Sequence, residues 1–169
     1  TIGAQAEYAG IRIRLTASIS SARNVLQLDV GFGDVITPHA LQMEYPTLLT
    51  KDRIKVLAYS KETIVAEKFE AIVKLTTFNT RMKDFYDIVF LSREFDFDGA
   101  PLQSALRNTF ARRQTELSSA AELLNSDFGT RASFQQHWEA FKRRTRIHES
   151  LTFPEAFETL CTFLVPIVV

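Results

Sequence analysis

The sequence predicts an α+β fold: a small mixed or antiparallel sheet, followed by four or five helices. Three observations predict it. Early segments alternate apolar and polar residues with the period of a strand. After about residue 60 the apolar residues recur at helical spacing instead. Hydrophobic residues make up 46% of the 169, and 14 of them are phenylalanine, enough for a core filled with aromatic rings.

"IRIRLTASI" (11–19) sets Ile11, Ile13 and Leu15 on one face and Arg12 and Arg14 on the other, as a half-buried strand does. "NVLQLDV" (24–30) repeats the pattern, with Leu26, Leu28 and Val30 opposite Gln27 and Asp29. The intervening "SSAR" suits a hairpin. "GFGDVITP" (31–38) reads as a loop, with two glycines and a closing proline. "LQMEYP" and "RIKVLAY" are two further short strands. The β-rich part spans 1–60 and the helical part 61–169, with no repeat or obvious linker.

Ser60 is positioned to cap a helix over 61–76, and Asn79 or Thr80 one over about 81–92. "DFDGAPLQSALRNTFARRQTEL" offers a cap near Asp98 and an early proline, then Leu102, Ala105, Leu106, Thr109 and Phe110 at core spacing. "ASFQQHWEAFKRR" puts Phe134, Trp138 and Phe141 on one side. Thr152 begins a last helix, with Phe157, Leu160, Cys161 and Leu164 inward.

Twenty basic and twenty acidic residues cancel, so a nucleic acid or anionic membrane would have to be held by a local patch. "ARRQ" (111–114) and "FKRRTRIH" (141–148) are such patches; the alternative is a solvated helix end that favours cations anyway. The single Cys161 excludes an intrachain disulfide and fits a reducing compartment. There is no signal-peptide pattern, and the apolar end "CTFLVPIVV" is too short to span a bilayer. A soluble, cytoplasmic protein is the expectation.

Several charged residues sit where a charge needs a reason. In "ETIVAEKFEAIV" (62–73), Lys68 falls inside the stripe of Ile64, Val65, Phe69, Ile72 and Val73. Its stem either snorkels to water or is held inward. In "RMKDFYDIVFL" (81–91), Asp84 and Asp87 lean toward an apolar face and need partners, with Arg81 and Lys83 nearby. The favourable field of a helix start explains Asp84 better than Asp87. A helix, short loop, helix unit would bring Lys68 to these carboxylates. Lysine beside carboxylates suits phosphoryl chemistry: the amine offsets phosphate charge, and the carboxylate holds a metal or a basic group. Asp29 lies on the polar face of its strand, beside a glycine-rich turn. Asp34 reads as a turn residue bonded to its own backbone.

"LDVGFGDVITP", "YSKETIVAEKFEAIV" and "NTRMKDFYDIVFL", in this order, resemble the AbiEii/AbiGii nucleotidyltransferase toxins of abortive-infection and type IV toxin–antitoxin systems. The resemblance covers about residues 8–92 strongly and the tail more loosely. It implies a polymerase-β-like nucleotidyltransferase core followed by a C-terminal helical bundle. Residue by residue, it makes Asp29 the third carboxylate of the site and a metal ligand, and puts Lys68 on the nucleotide phosphates. The block of Arg81, Lys83, Asp84, Tyr86 and Asp87 follows, with Asp84 its functional carboxylate and Arg81, Lys83 and Asp87 lining the substrate. Mg²⁺, a nucleoside triphosphate, a tRNA acceptor for some members and a cognate antitoxin encoded nearby are the implied companions.

One motif of the family is unmatched. A Gly–Ser turn and an Asp-x-Asp strand, which carry most of the Mg²⁺ coordination, precede the strand that "GIRIRL" resembles. "TIGAQAEYAG" contains no aspartate and no initiator Met. The chain as given is therefore expected to lack the metal site and to be inactive, either as part of a longer protein or as a remnant. Two functions follow: nucleotide transfer from NTP to an RNA such as a tRNA 3′ end, or a non-catalytic remnant that binds a nucleotide or a partner protein.

Overall fold

The computed structural model describes residues 10–75 and 80–168. The α+β class holds. Among the described residues there are four strands, paired as two antiparallel ribbons, and six α-helices. The chain divides into two compact units, one ending at Asp34 and the other starting at Val35.

The first unit holds β1 (Gly10–Ile19) and β2 (Ala22–Gly31). The connection is shorter than "SSAR": Ala22 already pairs with Ile19, leaving a two-residue turn at Ser20 and Ser21, with Ser20 left-handed at φ 54°. The register sets Ile11 opposite Val30, Ile13 opposite Leu28 and Leu15 opposite Leu26. The alternation is as read, but the apolar face is exposed rather than half-buried, from 39% at Val30 to 53% at Ile11. A two-stranded ribbon buries little beyond its cross-strand pairs.

In the second unit β3 (Leu41–Pro46) pairs with β4 (Arg53–Ala58), and Met43 faces Val56. The described helices are α1 (Lys61–Leu75), α2 (Met82–Glu94), α3 (Gly99–Arg112), α4 (Leu117–Leu124), α5 (Ala132–Thr145) and α6 (Phe153–Val168), with a 3₁₀ turn at Phe128–Thr130. The strand-to-helix change falls at Ser60, which caps α1: its Oγ accepts from Thr63 N–H at 3.1 Å and donates to the Thr37 carbonyl. Thr63 Oγ1 also donates to that carbonyl, at 2.9 Å, and accepts the Thr37 N–H at 2.8 Å. Asn108 of α3 reaches Thr37 Oγ1 at 3.0 Å. These bonds tie the segment before β3 to the start of α1 and to α3.

Two helix boundaries differ from the sequence reading. Arg81 is the N-cap of α2, without a side-chain capping bond; Thr80 gives only its carbonyl, and Asn79 lies outside the described residues. The helix that Asp98 caps ends at Arg112, inside the run read from Asp98. Thr115 N–H bonds the Phe110 carbonyl and Gln114 N–H the Ala111 carbonyl, while Gln114 is left-handed at φ 53°. This is a Schellman turn built without glycine. The unanticipated α4 follows it.

Aromatic rings fill the core. Phe128 lies tilted at 4.1 Å from Phe134, and Phe153 lies within 5.8 Å of Phe85, Phe134 and Trp138. Trp138 is fully buried and donates Nε1–H to the Leu151 carbonyl at 2.9 Å. Cys161 is half-buried and packed against the core, as read, and its thiol donates to the Leu124 carbonyl at 3.4 Å. No described helix is long and apolar enough to cross a membrane.

Candidate functional site

The stripe that contained Lys68 separates into two faces of α1. Val65, Ala66, Phe69, Ile72 and Val73 are buried in the core. Ile64, Glu67, Lys68 and Ala71 line a cavity of about 330 Å³. Their spacing of three, four and seven residues is one side of a helix. Lys68 is thus neither a core lysine nor a freely snorkelling one. It sits on the border, with its side chain 24% exposed.

Four elements and their flanks supply the polar walls: Tyr59 just after β4, Glu67 and Lys68 from α1, Arg81 capping α2 with Asp84 in its first turn, and Arg113 capping the end of α3. Lys68 Nζ lies 3.2 Å from Asp84 Oδ1 and 2.6 Å from Asp87 Oδ2. Lys83 Nζ shares that Asp87 oxygen, one helical turn away on α2. Arg81 Nε stands 3.0 Å from Asp84 Oδ2, an ion pair whose angles leave that buried oxygen without an aligned hydrogen bond. Burial alone pulls the Lys68 ammonium toward losing its proton. The hydrogen bond to Asp87 and the charges of Asp84 and Asp87 more than offset this, so Lys68 is held above its usual range. It is a cation at neutral pH.

Arg113 makes a second assembly. The Schellman turn directs Arg113 and Thr115 back onto α1. Arg113 Nη1 lies 3.0 Å from Glu70 Oε2, and Thr115 Oγ1 donates to Glu70 Oε1 at 2.5 Å. Arg113 Nη2 is 3.1 Å from Glu67 Oε1. The Glu70 side chain is only 2% exposed, yet both oxygens are engaged, so its burial is compensated.

The sequence reading anticipated the meeting of Lys68, Asp84 and Asp87, and the structure joins them. That reading has Arg113 only within a basic cluster and does not single out Tyr59, Glu67, Glu70 or Thr115. The available signal was Glu67 and Glu70 at i, i+3 flanking Lys68: three charged residues among four on a helix with a buried face. Tyr86 turns to the core, 6.0 Å from Phe141 and 6.3 Å from Trp138. Asp29 belongs to the hairpin unit, directly opposite Arg12 in register. Arg12 Nε is 2.6 Å from Asp29 Oδ1 and Gln27 Nε2 is 3.1 Å from Oδ2; the Arg12 hydrogen bond is the main cause that holds this carboxyl below its ordinary range.

These donors do not fit a resident Mg²⁺. Asp84 and Asp87 are occupied by Lys68, Arg81 and Lys83, and Asp29 by Arg12. Among the described residues no group of three or more His, Cys, Asp and Glu could hold a metal. Mg²⁺ demands several oxygens in near-octahedral array, which cation-paired carboxylates do not offer.

The cavity can accept an anion. Lys68, Arg81 and Arg113 converge on it from three elements, Lys68 and Arg81 braced by Asp84 and Arg113 by Glu70. Compared with known proteins, the chain matches one family model over residues 1–161, described as nucleotidyl transferase AbiEii toxin, type IV TA system. No curated protein and no solved structure gives a significant match. A cation-lined cavity on an α+β frame and a family match across nearly the whole length agree: the chain belongs to the AbiEii nucleotidyltransferase toxins of type IV toxin–antitoxin systems.

Proposed function

We propose that the cavity holds the phosphates of a nucleoside triphosphate and that the protein transfers a nucleotide from it to an RNA, with the 3′ end of a tRNA as acceptor. The observation that carries this is Lys68, kept charged between Asp84 and Asp87 at the wall of a cavity it shares with Arg81 and Arg113. In the transfer, the acceptor 3′-hydroxyl attacks the α-phosphorus, its proton leaves to solvent or base, and pyrophosphate departs. Charge develops on the phosphate oxygens, and fixed cations stabilise it.

In this reading Lys68 contacts the phosphates and Arg81 and Lys83 support the substrate. Asp84 and Asp87 are the carboxylates that aim Lys68, with Asp84 the one that bears most on catalysis. Mg²⁺ is the triphosphate's usual companion, but the carboxylates described above do not fit it, and no step here depends on it. The basic stretch 141–148 would receive RNA, and an antitoxin encoded nearby would be the protein partner. A cytoplasmic location fits the lone reduced Cys161.

A second reading, nucleotide binding without turnover, is favoured by one observation: Lys68 and Arg81 at the cavity are each paired with a carboxylate. The same experiment separates the two. NTP binding is measured for the parent chain and for Lys68→Met, and labelled transfer to total tRNA is followed in parallel. Binding lost in Lys68→Met supports the phosphate site. Labelled RNA supports transfer, and binding without label supports the second reading. Equal NTP affinity in the parent and Lys68→Met would show that Lys68 is not at the phosphates.

A further inference from the structure

We propose that Arg113 is a second phosphate-binding residue of this cavity, and that Glu67 is a placeholder which the phosphate displaces. This rests on the reading of the cavity as a nucleotide-phosphate site.

The two carboxylates around Arg113 differ in kind. Glu70 is buried, with one oxygen on Arg113 and the other on Thr115, so it has no freedom to let go. Glu67 lines the cavity with its side chain 21% exposed, one residue before Lys68, and touches Arg113 through Nη2. One partner anchors the guanidinium and the other faces the space a ligand would fill. The buried one ties α1 to the end of α3.

The backbone supports the same division. Arg113 ends α3, its N–H bonded to the Thr109 carbonyl at 3.0 Å, and the Schellman turn fixes the next two residues. The arginine therefore arrives at the cavity pre-positioned. Its planar fork matches two phosphate oxygens at once, which the ammonium of Lys68 does not. A polyphosphate outcompetes Glu67 because it brings more negative charge and more acceptors, while Glu67 swings out to water through a side chain already partly solvated. Lys68 and Arg113, carried by different helices, would then grip one phosphate chain from two sides.

The test is binding of inorganic tripolyphosphate to the full chain by titration calorimetry. Four proteins are compared: the parent, Lys68→Met, Glu67→Gln, and the double variant Glu70→Gln with Arg113→Gln, which strands no buried charge. The double variant is expected to bind about tenfold more weakly, the loss of one charge-assisted contact. Glu67→Gln is expected to bind about threefold more tightly, because a competing like charge is gone. Parent-level affinity in the double variant, or unchanged or weaker affinity in Glu67→Gln, overturns the proposal. If the double variant does not fold, Arg113→Lys replaces it: about threefold weaker binding supports the fork, and equal binding overturns it. Failure of the parent to bind, or unchanged binding in Lys68→Met, sinks the phosphate site itself. Loss in Lys68→Met with none in the Arg113 variants sinks the Arg113 proposal alone.

Discussion

Lys68 on α1 and Asp84 on α2 stand 16 residues apart in sequence and 3.2 Å apart at Nζ and Oδ1. The lysine joins two helices through a carboxylate whose side chain is 5% exposed. Removing the lysine therefore affects stability as well as charge. In Lys68→Ala the buried Asp84 keeps Arg81, but Asp87 keeps only its more exposed Lys83 partner. Stability should fall by about 1–3 kcal/mol, with the fold retained and toxicity lost. Urea unfolding and a growth assay at matched expression are the measurements. Full toxicity in this variant would remove Lys68 from the site.

The same pair sets a pH dependence. The folded-state value of Lys68 is raised above its ordinary 10.5, so its contribution is fully present below that pH and disappears as pH rises through the higher folded value. The stability gap between the parent and Lys68→Ala should therefore stay constant to about pH 10 and narrow only in more alkaline solution. A gap that already closes near pH 9 would mean that burial outweighs Asp84 and Asp87.

Ser60→Ala removes the cap of α1 and one of the donors to the buried Thr37 carbonyl. The expected loss is about 1–3 kcal/mol, a cap plus a weakened buried hydrogen-bond network. Ser60→Thr should recover part of it. Chemical denaturation monitored by far-UV dichroism decides, and no shift in midpoint would mean that the Thr37 network holds α1 without Ser60.

Gly129 lies in the 3₁₀ turn against α6, where an added Cβ would come within 2.7 Å of Phe157 Cδ1. The Phe157 ring is packed 5.6 Å from Phe128 and has little room to move. Gly129→Ala should lower stability by about 1–3 kcal/mol through overpacking. Gly99→Ala, where the nearest atom is 3.4 Å away at the flexible end of Ile167, is the control and should be tolerated better. Equal melting temperatures for the two variants would refute the contact.

Cys161 should be a slow thiol. Burial, and then the negative charge of Glu158, push it up to about 11, so little thiolate exists at neutral pH. In the native protein a disulfide reagent at pH 7.5 should react with Cys161 far more slowly than with the unfolded chain. Matching rates would mean that the thiol is open to solvent.

What the chain alone determined follows from short-range periodicity. Alternation in 11–19 and 24–30 and helical spacing after Ser60 were enough for the α+β class, because each is a statement about neighbours a few residues apart. The meeting of Lys68 with Asp84 and Asp87 was legible for a similar reason: only six residues separate the two helices in sequence, and both carry charges where apolar residues belong. The division of α1 into a core face and a cavity face was not legible, since Ile64 and Val65 look alike until other helices choose which of them to cover. Nor was Arg113. Its partner Glu70 lies 43 residues away, and the turn that aims it is made by Gln114 in a left-handed conformation that no glycine marks. Only the tertiary structure, by packing the end of α3 on α1, turned a charge that read as a helix terminus into a wall of the cavity. A charged side chain takes its meaning from the dielectric and the partners around it, and both are set by segments distant in sequence.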